Sequence, residues 1–232
     1  MSKARQRTDF KIEEFSNIIE QKGYDLIWEK ALKCPCMPEE KSGQPDYNCP
    51  LCHGKGWTWF DQQDIKAAMT SFNEKVQYNQ TGEIVAGTSY LTTMPENKLG
   101  FWDRVTHVDS RIRHSEVLTH GDHGGKDKLR FQPTEIVYCR SIKEEYTKGM
   151  DFEFDPNSFE IDWSPTGLEP NSGDRYSVEY LMPPRWIVID IMNVIRDTFV
   201  KSKKPGITFV ELPIRCMVRL EYMVFGVIDP PA

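Results

Sequence analysis

The stretch GMDFEFDPNSFEIDW, residues 149–163, decides the fold class of this 232-residue chain. Apolar and polar residues alternate on both sides of a turn at 155–158. Successive side chains of a β-strand point to opposite faces, so Phe159, Ile161 and Trp163 would share one face. The alternation therefore predicts a β-hairpin that buries one face and exposes the other.

Further strand patterns lie on both sides of this hairpin. They fall at 57–60, 67–78, 83–93, 101–108, 111–118, 136–140, 176–180, 186–196 and 214–225. Short strands at intervals of roughly 8–12 residues are typical of an antiparallel β-barrel or β-sandwich. Residues 9–22 instead carry apolar side chains at helical spacing and end before Gly23, a common helix terminator. We predict a mainly β protein with a short N-terminal helix.

Composition excludes two classes of protein. The chain is 39% hydrophobic and 12% aromatic, enough to build a core, so disorder is not expected. Its longest strongly apolar stretch, 186–195, contains Asp190 and Asn193, whereas a membrane-spanning helix needs about 20 apolar residues. No apolar run follows the basic residues at the start, so we expect no secretory signal and a reducing cytoplasm, where cysteines are seldom paired.

The charge balance is mildly acidic. Lys and Arg number 29 against 35 Asp and Glu, a net charge of -6. Binding to nucleic acid through phosphate neutralisation favours a basic balance instead. General phosphate binding is therefore not predicted.

Four of the six cysteines are clustered as Cys34-Pro35-Cys36 and Cys49-Pro50-Leu51-Cys52. Zinc takes four soft ligands at the corners of a tetrahedron, and two ligand pairs on separate turns can supply them. Gly54 and Gly56, just past the second pair, allow positive φ, so that backbone N–H groups can point at the thiolates. A closed four-thiolate site has no open coordination position. We predict a structural zinc held by Cys34, Cys36, Cys49 and Cys52.

Other roles for the cysteines remain as alternatives. His53 could replace one thiolate, and the cluster could consist of disulfides or free thiols, although a Cys-x-Cys disulfide would be a strained ring. Cys139 and Cys216 lie in strand patterns, which favours small apolar core residues.

A metalloenzyme site is the competing interpretation of the histidine-rich region. It would draw its ligands from His107, His114, His120, His123, Asp103, Asp109 and Asp122. The segment THGDHGGKDK, residues 119–128, is however rich in glycine and polar residues, which is typical of a solvated, mobile loop. Phosphate-binding, dinucleotide-binding and nucleophile-elbow motifs are missing from the sequence. No enzymatic activity is predicted.

The predicted organisation is a single compact domain with three parts. Residues 1–33 form an N-terminal arm and helix, residues 34–56 a zinc-knuckle loop, and residues 57–232 the β-barrel or β-sandwich body.

The segment CPLCHGKG, residues 49–56, resembles the zinc domain of J-protein chaperones. Those domains repeat the Cys-x-x-Cys-x-Gly-x-Gly motif several times, whereas here it occurs once and is paired with Cys34 and Cys36. We interpret this resemblance as shared zinc-knuckle geometry.

A second resemblance covers most of the chain. A short helix, CPC, a loop, CPLCHGKGW and a β-rich remainder follow in order, and the remainder includes the hairpin at 149–163, GDRYSVEYLMPPRWIVI at 173–189 and ELPIRCMVRLEY at 211–222. This order resembles the neck proteins of tailed bacteriophages, the small connector or head-closure proteins between portal and tail. The resemblance implies a β-barrel protomer in a closed ring around the DNA exit channel, without catalysis.

The resemblance also implies partners and a location. The protein would form a homo-oligomeric ring and contact portal or adaptor and tail proteins, with DNA passing through without sequence-specific binding and without a membrane. It would lie in the virion neck after assembly in the host cytoplasm.

The alternative function is a zinc-ribbon nucleic-acid-binding or regulatory module. It requires a basic, aromatic face beside the zinc. The candidates for such a face are Lys30, Lys33, Lys41, Lys55, Trp57 and Trp59, diluted by Glu39, Glu40 and Asp46.

Overall fold

The chain divides into two compact units. A computed structural model describes residues 12–37, 44–46, 49–71, 87–121, 127–192, 197–201 and 207–226. Unit 1 comprises Met1–Thr106 and Arg185–Ala232, and unit 2 comprises His107–Pro184. The body predicted at 57–232 spans parts of both units, and the middle of the chain has sheets of its own.

The chain begins with a helix and continues mostly as strands. In order they are α1 (Ile12–Lys22), β1 (Tyr24–Lys33), β2 (Trp57–Ser71), β3 (Thr88–Thr93), β4 (Arg104–Thr106), β5 (Ile112–Thr119), β6 (Asp127–Lys128), β7 (Glu135–Arg140), β8 (Phe152–Asp155), β9 (Glu160–Trp163), β10 (Arg175–Met182), β11 (Arg185–Ile191), β12 (Asp197–Lys201), β13 (Ile207–Glu211), β14 (Ile214–Leu220) and α2 (Glu221–Val224). The mainly β fold with a short N-terminal helix is confirmed.

Six antiparallel strands of unit 1 form a closed barrel in the order β1-β2-β3-β14-β11-β4. Strand β4 closes it, since Thr106 pairs with Ile27 of β1 on one side and with Arg185 of β11 on the other. The interior is filled by buried apolar side chains, as alternation along the strands requires. They include Leu26, Ile65, Leu91, Val105, Val188, Cys216 and Val218. Strands β12 and β13 pair separately as a hairpin.

The ends of several elements in unit 1 differ from the sequence-based prediction. The strand predicted at 214–225 ends at Leu220, because Glu221 begins α2 and its carboxylate is buried among cationic side chains. Helix α1 ends at Lys22 as predicted, and a Cβ at Gly23 would lie only 2.3 Å from the Ile19 carbonyl oxygen. The predictions that fall outside the described residues concern 9–11, 72–86, 193–196 and 202–206.

Unit 2 contains two three-stranded antiparallel sheets, β5-β10-β7 and β6-β9-β8. The hairpin predicted at 149–163 is confirmed as β8 and β9, in which Phe152 pairs with Trp163 and Phe154 with Ile161. Phe159 differs from the prediction: its φ of 64° places it in the turn rather than in the strand.

The buried carboxylate of Asp127 organises the core of unit 2. Its Oδ2 accepts hydrogen bonds from the Tyr176 hydroxyl at 2.6 Å and from Trp163 Nε1 at 2.8 Å, and it lies 2.7 Å from His120 Nδ1. The other ring nitrogen of His120 lies 3.0 Å from Glu169 Oε1. His120 and Asp127 are both buried. The composition of 119–128 predicted a solvated loop, and for these two residues that prediction is wrong. Residues 122–126 lie outside the described part.

We expect Asp127→Asn to destabilise unit 2 by about 3 kcal/mol, because both carboxylate oxygens are used, Oδ2 by three side chains and Oδ1 by the Gly121 N–H, and an amide replaces one of them with a donor. Hydrogen exchange of the amides in β8, β9 and β10 measures this loss. Asp162→Asn, at an exposed position on β9, is the matched control and should change little. Equal protection in the two variants would contradict the assigned role.

The same carboxylate should make unit 2 sensitive to acid. Burial raises the pKa of Asp127, but the hydrogen bonds from Tyr176, His120, Gly121 and Trp163 outweigh it and lower the pKa overall. The contribution of Asp127 to the stability of unit 2 is present above the unfolded-state pKa of about 3.9. It is lost as pH falls through the lower pKa of the folded state. The Asn variant should lack this part of the acid dependence.

Candidate metal centre

The cysteine cluster lies in the connection between β1 and β2. Lys33, the last residue of β1, pairs with Trp57, the first residue of β2. The Cys34 N–H donates to the Gly56 carbonyl at 2.9 Å and extends this pairing by one step. Residues 34–56 therefore leave and re-enter the barrel at one point.

The four cysteine sulfurs come together. Cys34 Sγ lies 3.7 Å from Cys49 Sγ, Cys36 Sγ lies 3.5 Å from Cys52 Sγ, and all four atoms fall within 4.8 Å of one another. Zn–S bonds of about 2.3 Å place the sulfurs of a tetrahedral site about 3.8 Å apart, whereas disulfide sulfurs are about 2.05 Å apart. The spacing is that of a four-thiolate metal site. His53, considered as a substitute ligand, is not part of this group.

Each sulfur also accepts at least one backbone hydrogen bond. The backbone N–H of Cys36 donates to Cys34 Sγ, and that of Asp46 donates to Cys36 Sγ. The N–H groups of Leu51 and Cys52 donate to Cys49 Sγ, and that of Gly56 donates to Cys52 Sγ. Gly54 and Gly56 both have a φ of 75°, which confirms the expected left-handed turn after the second pair. Donors directed at every sulfur stabilise negative charge, which suits thiolates more than neutral thiols.

The four thiols differ in acidity. Burial raises the pKa of Cys34, Cys36 and Cys52. The N–H groups of Cys52 and Leu51 lower the pKa of Cys49 to about 7.

A buried ion network beside the cluster was not found from the sequence. Lys55 Nζ donates to Glu221 Oε1 at 2.9 Å, and both side chains are buried. Arg104 Nη1 lies 3.7 Å from the same oxygen, and Arg104 makes two further bonds to Glu29 at 2.7 and 2.9 Å. A chain of ion pairs thus joins Lys55, at the end of the cysteine loop, to Glu221 of α2, and Glu221 through Arg104 of β4 to β1. No local pattern reveals this, because Lys55 and Glu221 are 166 positions apart.

The aromatic residues after the cluster pack inside unit 1. Trp57 stacks on Trp102 with ring centroids 5.2 Å apart. Trp59 Nε1 donates to the Trp102 carbonyl at 3.0 Å, and the Trp59 ring meets Phe225 edge-on at 5.9 Å. These rings are half-buried and engaged with one another, so they do not form an open stacking platform.

The basic residues near the cluster are also partly engaged. Lys55 is buried against Glu221, and Lys30 forms an ion pair with Asp61. Lys33 is exposed, while Lys41, Glu39 and Glu40 lie outside the described residues. Of the residues that favoured a nucleic-acid-binding face, Lys55 is therefore not available to a phosphate.

The histidines that the structure describes do not assemble a second metal site. Within the described part of the chain, the four cysteines are the one group with ligand atoms close enough to hold an ion. His114 packs edge-on against Phe131 and Tyr180, and burial together with Arg130 lowers its pKa to about 4. His120 is hydrogen-bonded as described above, and His123 and Asp122 lie outside the described residues.

Asp103 and the two remaining cysteines have structural surroundings. Asp103 is buried and accepts hydrogen bonds from Trp28 Nε1 and from the backbone of Ala31 and Gly100. Cys139 and Cys216 are 1% and 0% exposed, and burial raises their pKa values to about 12 and about 11. They are core residues, as predicted.

We expect Glu221→Gln to lower the free energy of unfolding of unit 1 by about 3–5 kcal/mol, because it leaves the buried Lys55 ammonium without its counter-charge. Denaturant titration measures the change, and Glu144→Gln on an exposed turn is the control. The double variant Lys55→Met/Glu221→Met should recover part of the loss, since no charge then stays buried without a partner. Equal stability of Glu221→Gln and Glu144→Gln would refute the network.

Acid should weaken the same network. Burial raises the pKa of Glu221, but the charges of Lys55, Arg104 and Arg185 outweigh it and lower the pKa to about 2. The contribution of Glu221 to the stability of unit 1 is full above the unfolded-state pKa of about 4.3. It disappears as pH falls toward about 2, the pKa in the folded state.

Comparison with known proteins places this chain in a family. The domain of unknown function DUF4815 matches residues 68–196, which is more than half of the chain. No curated protein matches the chain. The matched region starts inside β2 and includes all of unit 2, so the cysteine cluster lies before it. No described helix is long and apolar enough to cross a membrane. The chain belongs to the DUF4815 family.

Proposed function

We propose that this protein is a structural component of the head–tail neck of a tailed bacteriophage. It would be a ring-forming connector or head-closure protein that stabilises the DNA exit channel and carries a structural zinc. The proposal is supported above all by the four clustered sulfurs in the β1–β2 connection of a closed β-barrel, an arrangement that would brace a scaffold and leave no coordination position for a substrate.

The zinc would be held by Cys34, Cys36, Cys49 and Cys52. The closeness of their sulfurs, all within 4.8 Å of one another, and the backbone donor at every sulfur suit a soft divalent cation bound to thiolates. A cation at this point ties the turn at 34–37 to the turn at 49–56. The free energy of metal binding would stabilise the folded form of the connection at 34–56. The barrel does not depend on it, because it has its own apolar core.

The ring assembly is supported by apolar side chains that stay exposed. In unit 2 these are Ile142 at 94% and Met150 at 67% exposure, and in unit 1 Leu51 at 65% and Leu32 at 57%. A contiguous patch of exposed apolar side chains marks an interaction surface, and in a ring these residues would be the ones that neighbouring protomers cover. Head-to-tail contacts that close by rotation generate rings, with portal or adaptor and tail proteins as neighbours. The net charge of -6 suits a channel that DNA passes through without adhering.

We expect about one zinc per purified chain, as a closed four-thiolate site requires. Elemental analysis measures it. Cys49→Ser should lose the metal and loosen residues 34–56, but keep cooperative unfolding of the barrel. Cys139→Ala, which removes a buried thiol outside the cluster, should keep the metal. A folded, reduced protein without metal would end the zinc proposal.

The ring is tested by negative-stain electron microscopy of the purified protein, alone and mixed with portal from the same particle. We expect closed rings with a central channel in at least one of the two samples. A monomer in both would contradict the proposal. In a gel-shift assay with DNA, a shift that disappears steeply with salt would favour the nucleic-acid-binding alternative.

A further inference from the structure

Two contacts within the four-cysteine cluster cross from one turn to the other, while all four sulfurs lie within 4.8 Å of one another. The contact of 3.7 Å joins Cys34 to Cys49, and the contact of 3.5 Å joins Cys36 to Cys52. Disulfide sulfurs lie about 2.05 Å apart, so each pair would need to close by about 1.5 Å. The pairing within turns would instead require a strained ring between Cys34 and Cys36, separated by one residue.

The cysteines also differ in accessibility. Cys34, Cys49 and Cys52 are 2%, 6% and 2% exposed, whereas Cys36 is half-buried. Cys36 is therefore the most accessible of the four residues to a small oxidant dissolved in water. Its partner at 3.5 Å, Cys52, is then in position to resolve the oxidised sulfur.

We propose that the cluster is a site of reversible oxidation, in which disulfides Cys34–Cys49 and Cys36–Cys52 take over from the metal as the brace of residues 34–56. The proposal rests on the zinc site of the proposed function and adds a second, covalent state to it. Both disulfides join the same two turns that four thiolates around one cation would join. The connection therefore stays closed, and the Lys33–Trp57 strand pairing next to it is not disturbed.

The oxidant is a peroxide. The Cys36 thiolate attacks one peroxide oxygen, the O–O bond breaks, and a sulfenic acid and hydroxide form; the hydroxide takes up a proton from solvent and becomes water. The Cys52 thiolate then attacks the sulfenic sulfur, the S–S bond forms, and hydroxide leaves and takes up a proton. A second peroxide oxidises Cys34 and Cys49 in the same way. Two peroxides thus accept four electrons from four thiolates and, with four protons from solvent, give four waters; the bound cation is released because the sulfurs are no longer thiolates.

This second state suits a protein that assembles in a reducing cytoplasm and afterwards remains in a particle outside the cell. Outside, no thiol pool restores lost cysteines. A cluster that only lost its metal would open the connection, whereas one that forms these two cross-links keeps the two turns together. The oxidised protein should therefore stay as heat-stable as the zinc-loaded form and be more stable than the reduced, chelated form.

The experiment uses the purified full chain with two equivalents of hydrogen peroxide. We expect release of one zinc, detected with a chromogenic chelator, and loss of four thiols. Mass mapping without reductant should give the linkages Cys34–Cys49 and Cys36–Cys52, while Cys139 and Cys216 stay reduced in the core. Dithiothreitol with zinc should restore the starting state. Cys36→Ser should slow thiol loss about tenfold, since oxidation follows thiolate access.

The outcomes separate this proposal from the zinc site. Linkages Cys34–Cys36 and Cys49–Cys52, a mixture of pairings, or sulfinic acid without disulfides would overturn the pairing and leave the zinc site standing. A protein purified without metal would refute the zinc site. The reduced, metal-free chain would still test the pairing by the same mapping.

Discussion

The pairing of β1 with β2 is the constraint on which the rest of unit 1 depends. It places Cys34 beside Gly56 and so turns a long connection into a closed loop with both cysteine pairs near its base. The same strand is held on its other side by β4, which completes the barrel. A metal or a covalent link at the cysteines therefore acts on a loop whose ends are already in place, and its stabilisation is concentrated in residues 34–56.

Buried carboxylates specify the arrangement around this hairpin. Asp103 accepts hydrogen bonds from Trp28, Ala31 and Gly100, and Glu221 is surrounded by Lys55 and Arg104. In unit 2, Asp127 has a comparable role. Burying a charge is unfavourable unless donors meet it, so each carboxylate strongly favours the one packing in which its partners converge. This explains why the strand ends at Leu220 and α2 begins at Glu221, directly after β14.

Local patterns carried much of the prediction. The period of two identified the hairpin of β8 and β9, and the spacing of the cysteines identified the cluster, since both depend on residues close in sequence. The interpretation failed where distant partners decided the structure. Glu221 falls in the strand predicted at 214–225, and His120 and Asp127 fall in the loop predicted at 119–128. These predictions failed because the polarity of the three residues is compensated by side chains that no local pattern connects to them.

The sequence by itself determined the β class, the N-terminal helix and the four ligand candidates, because alternation, helical period and cysteine spacing are local properties of the chain. Only the tertiary structure decided that residues 107–184 form a separate unit, that β4 closes the barrel, and that Lys55 belongs to Glu221 rather than to a basic surface. Those features depend on which strands pair and which charges are buried together, and the energies that select them arise between residues that no local pattern connects.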